Sequence, residues 1–152
     1  MFGHTELRGE TLMDLEPVGS ILLPPGHNAG DLVESYKWEV IKEAPGKLEV
    51  KAHLPERLLN PRDQLFGGFH GVYVDLMSIC TARTVRSDGQ PFKWSTTINM
   101  RIDYLAPVEG KSFLMESEVV NNGKSTCLVA TTFKSTEGVK LVFAIATLKK
   151  SN

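Results

Sequence analysis

The sequence predicts an α+β fold: an antiparallel sheet of about six strands curved around one long hydrophobic helix. Three observations carry this expectation. Several segments alternate apolar and polar residues with the period of a strand. One run, from residue 68 to about 86, is apolar on nearly every side of a helix, and such a helix has to be buried. With 152 residues, 41% hydrophobic and 23% charged, the chain suits one domain with a real core.

Residues 1–35 read as an N-terminal extension, ending in the loop LLPPGHNAGD, and residues 36–152 as the domain proper. YKWEVIKEAPGKLEVKAHL reads as strand, turn, strand, with Pro45-Gly46 in the turn. PERLLNPRDQ holds two prolines and reads as a loop with one helical turn. The helix follows, with Arg83 and Arg86 at its wet end and Asp88-Gly89 as its stop. KWSTTINMRIDYLAP puts Trp94, Thr96, Ile98, Met100, Ile102 and Tyr104 on one face of a strand, and Ser95, Thr97, Asn99, Arg101 and Asp103 on the other. FLMESEVV and STCLVATTFKST form a hairpin around NNGK, and VKLVFAIATLK is the final strand. The last four strands are expected to form an antiparallel meander.

The formal net charge of −1 offers no basic field for nucleic acid. No run approaches the ~18 apolar residues of a membrane span. Two cysteines far apart, Cys80 and Cys127, form no CxxC unit and suit a reducing cytoplasm. The four histidines have no ligand-like spacing, so no metal site is expected.

The stretch LFGGFHGVYVD concentrates the chemistry. Asp75 is a single carboxylate among Val, Tyr, Leu and Met, where burial is costly. Gly71, Asp75, Ser78 and Ala82 recur at helical spacing as a stripe of small and polar residues. Such a stripe admits close approach by a helix or a slender ligand, or serves simple packing. Gly67 and Gly68 precede the helix, where backbone N–H groups lack internal partners and favour negative charge. Two such groups can hold the oxyanion formed when water attacks a carbonyl, or the pair serves only a tight turn. Asp75 lies eight positions after Gly67, up to about 12 Å along a helix. A carboxylate at that distance cannot reach a carbonyl held at its own helix's start. If both act on one substrate, Asp75 meets the glycines of a second copy, in a site between two protomers.

NPRDQLFGGFHGVYVD resembles the signature of the hotdog-fold acyl-CoA thioesterases, in the phenylacetyl-CoA thioesterase-like branch that includes thioesterase superfamily member 2. The resemblance covers roughly Tyr36 to Lys149. It implies that a backbone N–H of Gly67 or Gly68 binds the thioester carbonyl and that Asp75 of the partner subunit activates water or attacks directly. It implies that Asn60 orients the site, that Thr97 assists from the next strand, and that Phe66, Tyr104, Leu105, Ala106 and Pro107 with Asn122, Gly123, Lys124 and Ser125 contact the substrate or its CoA. It further implies a homo-oligomer, a dimer or a dimer of dimers, and no cofactor beyond the CoA of the substrate. Lys124, Arg101, Lys111, Arg83 and Arg86 are the cations that could meet CoA phosphates. The family's His before the glycines is Phe66 here, which cannot hydrogen-bond, and His70 lies four positions on, inside the helix. Asp63 stands where several relatives have Gly. The leading expectation is an acyl-CoA thioesterase. A hotdog protein that binds acyl-CoA without turnover is the rival, kept open by Phe66. A hotdog dehydratase or hydratase ranks third, since it pairs a His with its carboxylate.

Overall fold

A computed structural model describes residues 21–85 and 95–151. Arg86, Asp88, Gly89 and Trp94 therefore lie outside the described residues. Helix α1 (Asn28–Leu32) leads into strands β1 (Glu39–Ala44) and β2 (Lys47–His53), then helix α2 (His70–Arg83), then β3 (Thr96–Tyr104), β4 (Ser112–Asn122), β5 (Thr126–Lys134) and β6 (Lys140–Lys149). Single 3-10 turns occur at Ser35–Lys37, Glu56–Leu58 and Gly67–Phe69. The six strands form one antiparallel sheet that wraps α2, the hotdog arrangement expected.

Burial explains why α2 is apolar on all sides. Every residue of it is buried except Gly71, Val72 and Asp75. Fully burying a Leu- or Met-sized side chain contributes about 1.5–3 kcal/mol, and α2 brings Val74, Leu76, Met77 and Ile79 into the core. Tyr73 is the hub. Its ring stacks on Trp38 at 5.6 Å and meets Phe113 edge-on at 5.1 Å, and its hydroxyl donates to the His53 carbonyl at 2.8 Å. The stripe of small residues is split by this packing: Gly71 and Asp75 reach the surface, whereas Ser78 and Ala82 are buried. Residues Ile21–Leu23 and Val33 join the same core.

The strand order is β1-β2-β4-β5-β6-β3, which corrects the expected meander. Only β4, β5 and β6 run as neighbours in sequence order. β3 pairs with β6 at the far edge, three places from β4. The physical reason lies in β6, a largely buried strand whose backbone N–H and C=O groups are paired by β5 on one side and β3 on the other, which leaves it no open edge. The connection after β3 crosses the start of α2. It is held there by Leu105 and Ala106 N–H groups donating to the Leu141 carbonyl, and by the Val108 carbonyl accepting from Leu65 N–H.

The two-faced reading of β3 also needs correction. The inward row on β6 runs Val142, Ala144, Ala146, Leu148 in steps of two, and its partners on β3 are Tyr104, Ile102, Met100 and Thr97. The last step on β3 spans three residues because a bulge lies between Thr97 and Asn99. Before the bulge the odd residue Thr97 faces the helix. After it the even residues do. Ile98, placed by period two on the apolar face, is 55% exposed instead.

Candidate functional site

Asp75 sits half-buried midway along α2 and accepts a hydrogen bond from the Thr97 hydroxyl. The helix supplies the carboxylate from below, and the bulged start of β3 supplies the donor from the sheet edge. A hydroxyl donated to one oxygen orients the carboxyl and leaves the second oxygen available to a proton or an electrophile.

The glycine turn is built from the other end of the helix. Phe66, Gly67 and Gly68 are exposed, and the 3-10 turn Gly67–Phe69 runs straight into α2. A Cβ added to Gly67 would meet no atom within 4 Å, and at Gly68 the nearest atom is the Phe66 ring at 3.5 Å. Neither glycine has a positive φ. Packing and backbone conformation within the chain therefore do not demand glycine there. Glycine keeps space open over the leading N–H groups, as close approach by an outside group requires.

His70 is the residue that reading along the chain missed. It is 4% exposed, and its Nδ1 lies 3.2 Å from the Phe66 carbonyl and 3.1 Å from the Gly67 carbonyl. Both partners are acceptors, so Nδ1 carries the proton. Burial holds the imidazole pKa below its ordinary value, although the two carbonyl hydrogen bonds push it up. His70 thus ties down the loop although it does not stand in the family's His position. The signal was in the spacing: helical side chains point back toward the N-terminus, and position 70 is i+4 from Phe66 and i+3 from Gly67.

The remaining candidates are spread along the molecule. Asn60 turns its Oδ1 on its own loop, accepting from Arg62 N–H at 2.8 Å and Gln64 N–H at 3.2 Å. Tyr104 lies beside the glycine turn, its hydroxyl donating to the Gly67 carbonyl at 3.0 Å, and Leu105 next to it is 58% exposed. Ala106 is partly buried and Pro107 exposed. The turn Asn122–Ser125 is at the opposite end of the helix, near where Cys127 and Leu148 pack on Ile79 and Ala82. Its Lys124 is exposed. Among the other cations, Lys111 is exposed, Arg101 pairs with Asp103 at 3.0 Å, and Arg83 is buried and reaches the Ile21 carbonyl. One chain therefore brings Thr97 to Asp75 and Tyr104 to Gly67. The two pairs, and the two candidate CoA segments, stay apart along the helix. An open groove of about 290 Å³ lies on the sheet between Lys42, Glu116, Thr132 and Phe143, and none of the candidate site residues lines it. Among the described residues no three His, Cys, Asp or Glu side chains gather to hold a metal ion. No helix there is long and apolar enough to cross a membrane.

Residues 68–142 match the family model described as the thioesterase superfamily. The matched segment contains Gly68, His70, Asp75, Thr97, Tyr104 and Lys124, and the same fold appears in solved structures of low identity. A hypothetical thioesterase from Streptococcus pneumoniae, solved with coenzyme A, shares 20% identity over 77% of this chain and 88% of that one, with a TM-score of 0.68. A Streptococcus mutans protein bound to acetyl-CoA shares 17% identity over 76% and 90%, with a TM-score of 0.67. The PaaI protein of the Escherichia coli phenylacetic acid degradation operon shares 12% over 84% and 86%, with a TM-score of 0.70. No curated protein matches the chain.

Proposed function

We propose that this thioesterase-superfamily protein hydrolyses an acyl-CoA thioester to a free acid and CoA. The carrying observation is the half-buried Asp75 carboxylate held by Thr97 on the central helix, the one carboxyl on that helix. Water attacks the thioester carbonyl while Asp75 takes its proton, or Asp75 itself attacks and water then releases the acyl group. The carbonyl oxygen gains negative charge and is held by the N–H groups of Gly67 and Gly68. The C–S bond breaks, and CoA leaves as the thiol once protonated. The reaction needs no cofactor beyond the CoA of the substrate.

Within one chain the glycine turn lies up to about 12 Å along the helix from Asp75, too far for one carbonyl. On this reading the working unit is a homodimer, alone or paired into a tetramer, with two sites, each taking Asp75 from one protomer and the glycine turn from its partner. Of the two sheet edges, β1 and β3, it is β3 that carries Thr97 beside Asp75, so on this reading β3, with exposed Ile98, meets the second copy. Phe66 and Tyr104–Pro107 of one protomer border the acyl thioester, and Asn122–Ser125 supplies Lys124 toward the CoA phosphates. Asn60 acts by shaping the loop ahead of the glycines. Ile21–Leu23 and Val33, from the described part of residues 1–35, close the core. The buried cysteines Cys80 and Cys127 suit a reducing, cytoplasmic setting.

Two measurements test this. CoA release is followed across short, long and aromatic acyl-CoAs for the wild type and Asp75→Asn. A loss of about 10²- to 10⁴-fold is expected in the variant. Equal, background-level release by both on every substrate sinks the enzyme reading, and tight acyl-CoA binding by that same protein then supports binding without turnover. Mixing Asp75→Asn with Gly67→Val tests the shared site. Each alone is inactive, whereas random mixed dimers restore about a quarter of the sites. A mixture that exchanges subunits yet stays inactive rules out the site between protomers.

A further inference from the structure

We infer that His70 and Tyr104 are positioning residues that together aim the Gly67 and Gly68 N–H groups. A trans peptide unit is planar, and its C=O and N–H point in opposite directions. Holding the Phe66 carbonyl therefore sets the direction of the Gly67 N–H. Holding the Gly67 carbonyl sets that of Gly68. The Phe66 carbonyl accepts from Phe69 N–H at 3.0 Å and from His70 Nδ1–H at 3.2 Å. The Gly67 carbonyl accepts from the His70 backbone N–H, from His70 Nδ1–H at 3.1 Å and from the Tyr104 hydroxyl at 3.0 Å. One imidazole thus grips two successive peptide units from the inside, and a phenol from the end of β3 grips the second as well.

The backbone hydrogen bonds of the 3-10 turn leave its peptide units with little other restraint, and among the described residues His70 and Tyr104 are the side chains seen to hold them. Gly67 and Gly68 are exposed and lack side chains, so both peptide units could rotate at little steric cost. His70 is itself held firmly. Its ring stacks parallel to Phe133 of β5 at 6.1 Å and meets the Tyr104 ring edge-on at 4.7 Å. Two strands of the sheet are thereby coupled to the loop through one buried ring. With the anchoring done from position 70, position 66 is released from it, and Phe66 is 53% exposed beside the N–H groups as an apolar surface.

This inference rests on the proposed thioester hydrolysis for its kinetic consequence and has a structural readout that does not. His70→Phe keeps the ring in the core but removes the donor. Tyr104→Phe removes a single exposed hydroxyl, so folding is secure. His70→Asn returns a donor on a short side chain. In CoA-release assays, His70→Phe is expected to lower kcat about 10- to 100-fold with KM changed less than about twofold, since misaimed donors are lost mainly in the transition state. Tyr104→Phe shows a smaller loss of the same kind, and His70→Asn recovers a large part of kcat. In ¹⁵N-labelled protein, the Gly67 and Gly68 amide resonances shift and exchange faster in His70→Phe and in Tyr104→Phe. Unchanged glycine amides in both variants overturn the inference, as does a loss shared equally by the Phe and Asn variants or carried by KM. If the wild type releases no CoA from any thioester, the proposed function has failed, and the amide measurements alone decide whether His70 and Tyr104 set the turn.

Discussion

Thr97 donates its hydroxyl to the Asp75 carboxylate only because β3 bulges between Thr97 and Asn99. Without the extra residue Thr97 would share the outward face with Arg101 and Asp103. The pair couples the sheet edge to the central helix at the carboxylate proposed to act on the thioester.

Thr97→Val keeps the shape of that contact and removes the donor. A hydrogen bond to a charged group is worth about 1.5–3 kcal/mol, so kcat for CoA release should fall about tenfold to a hundredfold. Melting should barely change, since the site is half exposed. An unchanged kcat would show that Asp75 needs no orienting partner.

Gly67→Ala separates turn from ligand approach. The new methyl meets nothing within 4 Å, so stability should change by less than about 0.5 kcal/mol. It occupies the space over the N–H groups, so kcat/KM should drop at least about tenfold. Thermal melting and CoA release on the same sample check both parts. Full activity would place the thioester elsewhere.

Glu34 supplies a pH test of the fold. Its nearly buried carboxylate lies 3.1 Å from Lys37 Nζ, 2.9 Å from His53 Nε2 and 3.4 Å from Arg57 Nη1. Burial alone would raise its pKa, but the Lys37 hydrogen bond and the charges of Lys37, His53 and Arg57 bring it below the ordinary 4.5. The folded state therefore binds this proton less readily than the unfolded one. The stabilisation is complete above pH 4.5 and is lost as pH falls below it through the folded value. Urea midpoints should fall over that range for the wild type and more gently for Glu34→Gln. Parallel curves would show that the cluster adds nothing to acid sensitivity.

Asp63 has a φ of 58°, a left-handed backbone that favours glycine. Asp63→Gly should therefore raise stability by about 0.5–1 kcal/mol, read as a higher urea midpoint. A lower midpoint would mean that the Asp side chain stabilises the loop by more than its backbone strain costs.

Most elements were legible from local pattern. Period-two alternation marked β2, β4, β5 and β6, and an all-round apolar run marked α2, because burial writes itself into residues a few positions apart. The helical rise alone separated Asp75 from Gly67 within a chain. The 3-10 turn Glu56–Leu58 and the left-handed Asp63 also fall where the sequence points to a loop. Strand partnership was not legible. Any alternating segment satisfies its own period beside any neighbour, so only the packed sheet could place β3 against β6 rather than β4. The bulge was invisible for the same reason: one residue shifts phase to suit a partner that the local pattern does not contain. The sequence by itself determined one buried helix, a carboxylate on it and two glycines at its start. Tertiary structure alone decided what those groups touch. Hydrophobic periodicity is a local property, whereas the hydrogen bonds from Thr97 to Asp75 and from Tyr104 to Gly67 join residues 22 and 37 positions apart.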